Sequence, residues 1–361
     1  MVESVTLSPL DLRIVHALQL DGRAPFSRIA GVVDVSDRTV ARRFGRLRAS
    51  GAVRVTGVAD SRRTGRAEWV VRLRVLPDGA QAVVDALARR ADTAWVALVS
   101  GGTEIVCLFR TADGGPVPLA ALTRHPRVVQ ADAQRLLRHL MDHRWRGRTS
   151  ALTAEQVAAI RGPRHGAGHQ AGDEHGAGHD AGDTYGEGHD AGDEHGTGHG
   201  VRSGHGGTAV PRPRTLTELD RRLLSVLAAD GRTAYPDLAR AVGWSESAVR
   251  RRLAELRGSR TVRFDVETDP RLFGFSAQCL LWLTVAPSRI SAVARAVASD
   301  AETAFVGATT GAHHLMAVVV CRDEAALYDY VSDRIGALDG VQRVDTALVS
   351  DYAKRAGARM G

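Results

Sequence analysis

The stretch Ser36 to Arg48, SDRTVARRFGRLR, decides the fold. A second version, Ser245 to Arg257, SESAVRRRLAELR, lies 209 residues later. Each predicts a helix. Val40, Phe44 and Leu47 recur at i, i+4 and i+7 as one apolar stripe, and Val249, Leu253 and Leu256 repeat it. Ser36 and Ser245 stand where an N-cap is wanted, just ahead of the periodic run. At about 100° per residue, Arg38, Arg42 and Arg46 point away from the first stripe. A helix that docks by one face and offers arginines on the other suits a DNA groove. On a lone helix the same arginines read as a solvated face, so the neighbouring sequence has to decide.

That neighbourhood is helical too. Ser8 caps a helix over 8–20, with Pro9 in its first turn and Asp11 completing a capping-box-like pair. Asp21-Gly22-Arg23 ends it in a turn, and a second short helix follows over 25–33. Three short helices, the last two joined by a tight turn, make a helix-turn-helix. Residues 51–55 read as a short strand, either a wing or a lead out of the domain. From 66 to 140 the period changes to strand, helix, strand, strand, helix, strand, the ferredoxin-like βαββαβ order. Thr153 and Gln156 open a further helix ending at 161. His139 and His143 are helically spaced at the domain end and read as surface residues.

Residues 162–214 differ from everything around them. GHQAGDEHGA, GHDAGDTYGE and GHDAGDEHGT follow one another, and nothing in them builds a core. A disordered linker is expected, with a flexible reach of roughly 40 Å. From Thr215 the whole plan repeats: Thr217 replaces Ser8, Asp230-Gly231-Arg232 replaces Asp21-Gly22-Arg23, and Gly311 replaces Gly101. The fold class is therefore α+β: two copies of a helix-turn-helix domain, winged or not, each followed by a ferredoxin-like domain. The boundaries are 6–58 and 66–140, an extension helix within 141–161, the linker 162–214, then 215–266 and 275–352.

Composition agrees. A chain of 361 residues holds two or more domains, and 44% apolar content is globular. The net charge is +7, and every one of the 48 basic residues except Lys354 is arginine. This balance favours a polyanionic partner such as nucleic acid. Cys107, Cys279 and Cys321 are scattered, which suits a reducing cytosol and argues against a disulfide framework or structural zinc. The opening MVESVTLSPL lacks the regions of a signal peptide, and no apolar run approaches a membrane span. A cytoplasmic location without membrane partners is expected.

At this point the chain resembles the Lrp/AsnC (feast/famine) family of regulators. The signature LD…LQLDGR…IA…VS…V.RR…L…G runs from Leu10 to Gly51, and the second copy repeats it. The second copy adds Asp269-Pro270-Arg271-Leu272-Phe273-Gly274, similar to the family's hinge. The first has Asp60-Ser61-Arg62-Arg63 at that place, without Asp-Pro. The βαββαβ units resemble the family's ligand-binding RAM domain. The resemblance implies a regulator of double-stranded DNA that pairs its RAM sheets and answers an amino acid or related metabolite. Duplication suggests that the two RAM units of one chain pair as an intramolecular pseudo-dimer, with higher homo-oligomers also open.

On that basis the DNA-binding candidates are Arg38, Thr39, Arg42, Arg43 and Arg46, then Ser247, Arg250, Arg251 and Arg252. Arg38 and Arg42 are candidates for guanine, which a guanidinium matches bidentately. Arg43 and Arg252 flank the stripe and read as phosphate clamps or packing partners. Glu255 stands where the first helix has Arg46, so unlike half-sites are expected, the N-terminal reader giving more affinity. The effector candidates lie at the turn between the second and third RAM strands. They are Ser100, Gly101, Thr103 and Glu104 in the first copy, and Thr310, Gly311, His313 and His314 in the second. Glu104 is the expected acceptor for an ammonium group. Two rivals remain: a metal-responsive regulator using the eight linker histidines, and a siroheme-decarboxylase-like enzyme on the same fold. No catalytic set, metal site or cofactor is assigned.

Overall fold

The computed structural model describes residues 7–112, 115, 119–141, 151–161, 215–355 and 358–359. The repeat tract, its expected disorder and its candidate metal ligands lie outside these residues, as does His143. The first half runs α1 (Pro9–Leu20), α2 (Phe26–Val33), α3 (Asp37–Ala49), β1 (Val53–Ala59), β2 (Arg66–Val75), α4 (Ala80–Arg89), β3 (Thr93–Val99), β4 (Glu104–Ala112), α5 (Leu119–Leu122), β5 (Val128–His139) and α6 (Ala154–Arg161). The second runs α7 (Glu218–Ala229), α8 (Tyr235–Val242), α9 (Glu246–Gly258), β6 (Val262–Thr268), β7 (Ala277–Val285), α10 (Ile290–Ser299), β8 (Thr303–Thr309), β9 (Leu315–Cys321), α11 (Glu324–Asp329), β10 (Val341–Arg355) and β11 (Ala358–Arg359).

Local chemistry sets the helix ends. Ser8 and Asp11 form a full capping box on α1, as Thr217 and Asp220 do on α7. Ser36 accepts from the Thr39 N–H and Ser245 from the Ala248 N–H. Ile14, Leu18, Ile29, Val40 and Leu47 meet in the first head, and Leu223, Leu227, Leu238, Val249 and Leu253 in the second. The first head has an addition: α6 packs on it through Ile160, Leu152 just ahead of α6 joins the same core, and the Gln156 amide donates to the Val32 carbonyl.

β1 leads out of the first head. It pairs antiparallel with β6 of the second, Thr56 opposite Asp265 at the centre of a two-stranded ribbon. Each ribbon strand then enters a hinge. Asp269 accepts from the Arg271 N–H over a 3-10 turn at Pro270–Phe273. Asp60 accepts from the Arg62 N–H over the same kind of turn at Ser61–Arg63, so the first hinge keeps the geometry without its proline.

The two βαββαβ units lie in the order β3-β4-β2-β5 and β8-β9-β7-β10. They share one sheet, because β5 pairs with β8 and β10 runs on from β7 to β3. This closes the strands into a ring, so no long edge is left open. Val70, Ala97, Val106, Leu280, Trp282 and Met316 fill its interior. Arg72 of β2 lays its guanidinium 4.3 Å over the Trp282 ring of β7, tying the sheets across that interior. Lys354 on β10 is buried and donates to the Arg90 carbonyl at the end of α4, 2.6 Å away.

Candidate nucleic-acid interface

The structure sorts the arginines of the two reading helices. In α3, Val40, Phe44 and Leu47 are buried, while Arg38 and Arg42 are exposed and make no side-chain ion pair among the described residues. Thr39 is half-buried, its hydroxyl 2.8 Å from that of Ser36. Arg43 and Arg46 both reach back to Asp11, at 3.1 and 2.8 Å. In α9, Ser247 and Arg251 are exposed, and Arg251 makes no ion pair among the described residues. Arg250 pairs with Glu246 and lies 4.1 Å over the Tyr235 ring. Arg252 binds Asp220 through two nitrogens, at 2.8 and 2.7 Å, and Glu255 at 2.8 Å. Of the nine candidates, Arg38, Arg42 and Arg251 thus present uncommitted guanidiniums, and Ser247 an exposed hydroxyl 3.1 Å from that of Ser245. Trp244, 49% exposed beside the α9 cap, was not singled out by spacing.

Asp11 and Asp220 therefore do more than cap. Each side chain is fully buried and faces the reading helix, Asp11 meeting Arg43 and Arg46 and Asp220 meeting Arg252. Burial pushes the Asp11 carboxyl up, but hydrogen bonds from Ser8 and Arg43 and the Arg46 charge outweigh it, leaving it below the ordinary value. The balance at Asp220 is the same, set by Arg252 and Thr217 against burial.

Reciprocal contacts join the two heads. Arg23 donates to the Gly231 and Thr233 carbonyls at 2.8 and 3.0 Å, and Arg232 to those of Gly22 and Ala24 at the same distances. Arg23 stacks on Tyr235 and Arg232 on Phe26, at 4.9 and 4.3 Å. Arg48–Asp230 and Arg257–Asp21 add paired ion bridges at 3.0 and 2.9 Å. Burial and the facing Arg23 pull the Arg232 guanidinium down to about 10, so it stays charged at neutral pH. The glycines between are required by closeness. A Cβ on Gly22 would lie 2.9 Å from Phe264, and one on Gly231 3.0 Å from the Thr56 backbone. The Asp-Gly-Arg triplet, legible in sequence only as a turn, is a clasp.

The RAM turns are less open than expected. Glu104 is buried and held by Arg72 at 3.0 Å, Arg74 at 3.5 Å and the Ser100 hydroxyl at 3.1 Å. Its carboxylate, the expected acceptor for an ammonium group, already takes these three partners and still lines the cavity beside the turn. Ser100, Gly101 and Gly102 all take positive φ, of 53°, 64° and 92°, and Thr103 donates its hydroxyl to the Ser100 carbonyl. A cavity of about 320 Å³ beside this turn is lined by Arg72, Arg74, Glu104, Gln130, Asp132 and Asp345. The second turn is sewn to β5: Thr310 exchanges hydrogen bonds with the Arg135 backbone, and Gly311 abuts Gln134. His314 accepts from the Val285 N–H and His313 lies 3.4 Å from Asp345. Burial, with Arg343 and Arg72, holds His313 below the usual histidine range against the pull of Asp345.

His139, expected at the surface, is on β5 with its side chain only 20% exposed and bonded to Glu68. Burial pushes Glu68 up, but His139, Arg110 and Ser61 outweigh it and hold the carboxyl far below its usual range.

Two linked helix-turn-helix heads over a ring of paired ligand-domain sheets define a class of transcriptional regulator. The AsnC-type helix-turn-helix model matches residues 7–48 and 216–257, and the Lrp/AsnC ligand-binding domain model matches 278–358. An uncharacterized HTH-type transcriptional regulator of Pyrococcus furiosus is 30% identical over 146 residues, which is 40% of this chain and 99% of the relative. LrpA of Pyrococcus horikoshii, an HTH-type transcriptional regulator, is 29% identical over 38% of this chain and 99% of its own length. The chain belongs to the Lrp/AsnC family of transcriptional regulators. Among solved structures, the siroheme decarboxylase NirDL is similar across 96% of this chain and 93% of its own, with a TM-score of 0.58 and 13% identity. At that identity the likeness is one of fold.

Proposed function

We propose that the chain is a sequence-specific, cytoplasmic DNA-binding regulator in which two head–sheet units of one polypeptide, 6–140 and 215–352, act as a single pseudo-dimer on one duplex. The reciprocal Arg23–Arg232 clasp carries this reading, because it joins the heads independently of a second chain. Arg38 and Arg42 read guanine from the first head and Arg251 from the second. Thr39 and Ser247 add base or phosphate contacts. Arg43, Arg46 and Arg252 are held by Asp11 and Asp220 and brace the reading helices beside the phosphates, with Arg250 on the rim.

An amino acid or related metabolite binds at the RAM turns. At the first turn Arg74, 65% exposed and only 3.5 Å from Glu104, suits its carboxylate, and exposed Asp132 joins Glu104 as acceptor for its ammonium group. Ser100 and Thr103, with Gly101 between them, line an adjoining cavity of about 440 Å³ that shares Arg72, Arg74 and Glu104, while Thr310, Gly311, His313 and His314 form its altered counterpart. The two sites therefore take ligand unequally.

The test is binding of the full chain to fragments of its own promoter region at several salt concentrations. Saturable binding that weakens with salt and protects two adjacent half-sites is expected. No binding at low ionic strength, with or without amino acids, overturns the proposal.

A further inference from the structure

A second cavity lies away from the RAM turns. It has about 850 Å³ and opens between strand β6, the first hinge and the mouth of the strand ring. Its floor holds an apolar patch drawn from both βαββαβ units, Val70, Trp95 and Leu108 from one and Phe305, Met316 and Val318 from the other, beside the Glu68–His139 pair. Tyr352 packs its ring 5.6 Å from that of Trp95. Its rim is basic, with eight arginines against five carboxylates. Arg355 stacks 3.7 Å over Tyr352, and Arg63 and Arg260 make no ion pair among the described residues.

Arg260 supplies a second, independent observation. It follows α9 with φ at +55°, in the left-handed region. The first copy has Gly51 at the equivalent place, with φ +72°. Glycine takes this conformation without cost, whereas an arginine there is strained. The strained residue is a cation that lines the cavity.

We propose that this cavity is a second ligand site, separate from the RAM turns, and that it takes an organic anion with an aromatic body. The apolar patch and the Trp95–Tyr352 pair receive the rings, and Arg260, Arg63 and Arg355 receive the anionic group. Ligand sites favour such places, in the mouths of barrels with a few convergent polar groups over an apolar lining. Strand β6, which pairs with β1 to join the two reading heads, forms its roof.

The probe is 8-anilinonaphthalene-1-sulfonate, titrated into the full chain and followed by fluorescence. One probe per chain is expected. Arg260→Gly should weaken binding about tenfold, the loss of one charge-assisted hydrogen bond, while leaving the melting temperature equal or higher. Arg63→Ala should weaken it further, and Val318→Trp should abolish it by filling the floor. The uncharged N-phenyl-1-naphthylamine should bind at least about tenfold more weakly than the sulfonate. Unchanged sulfonate affinity in Arg260→Gly and Arg63→Ala overturns the site, and equal affinity for the neutral probe overturns the ligand class. Neither readout involves DNA, so the outcome is independent of the proposed operator binding.

Discussion

The two heads of this chain share a plan and differ in what they expose. α3 and α9 have the same serine cap, the same buried stripe and the same acid-to-arginine brace from the first helix of the head. Yet Arg38 faces Ser247 in the comparison, and Arg46 faces Glu255, which pairs with Arg252. Head 1 also rests on α6, which with the residue leading into it brings Ile160 and Leu152 into its core, while no described element does this for head 2. In a homodimer both heads carry one sequence. Joined in one chain, each drifts separately, so the pair suits a site whose halves are not alike.

That comparison can be broken where the effect is largest, at α6. Ile160→Ala empties a fully buried position and should destabilise by about 2–5 kcal/mol, followed by urea unfolding with amide exchange as the local readout. Head 1 should lose protection first and head 2 keep it. Equal loss in both would mean that the heads do not differ in their support.

Base contacts come next. Arg42→Ala should cost about 1–3 kcal/mol of DNA affinity and relax one base position, seen in binding to a panel of mutated sites. Arg251→Ala should relax a position in the other half-site, with the smaller loss. A larger loss from Arg251 would reverse the ranking of the heads. Ser247→Ala should change affinity by no more than about 1 kcal/mol, as for one neutral hydrogen bond.

The braces give a subtler, pH-dependent effect. Asp11 and Asp220 are held below the ordinary aspartate value of 3.8. Folded protein therefore binds fewer protons there than unfolded protein does around pH 3–4. Their contribution is full above the unfolded value and is lost as pH falls through the folded one. Asp11→Asn should lower the melting temperature at pH 7 and narrow the gap to wild type as the pH drops toward 3. A gap that stays constant with pH would show that the charge on Asp11 is not what holds Arg43 and Arg46.

Much of this was legible in the sequence because it is local. The caps at Ser8 and Ser36, the stripe through Val40, Phe44 and Leu47, and the βαββαβ order all follow from spacings shorter than one element. The 209-residue repeat made the duplication plain. What spacing does not carry is pairing across the pseudo-twofold. Nothing in VRVTGVA says that it lies against VRFDVET, or that Arg23 reaches Thr233. The same limit hid the fate of individual charges. Arg42 and Arg43 are neighbours, yet one meets solvent and the other Asp11, because a single step of about 100° separates the outer face from the seam. Glu104 looked unpaired until Arg72, 32 residues away, was placed beside it. His139 looked helical with His143, but β5 carries it to Glu68.

The central claim is that one polypeptide supplies both reading helices to one duplex. The most direct measurement is the mass of the complex between the full chain and a short promoter fragment holding a single protected site, read by native mass spectrometry. One chain per duplex, with both half-sites protected, is the predicted result. Two chains per duplex, each leaving one head off the DNA, would contradict it.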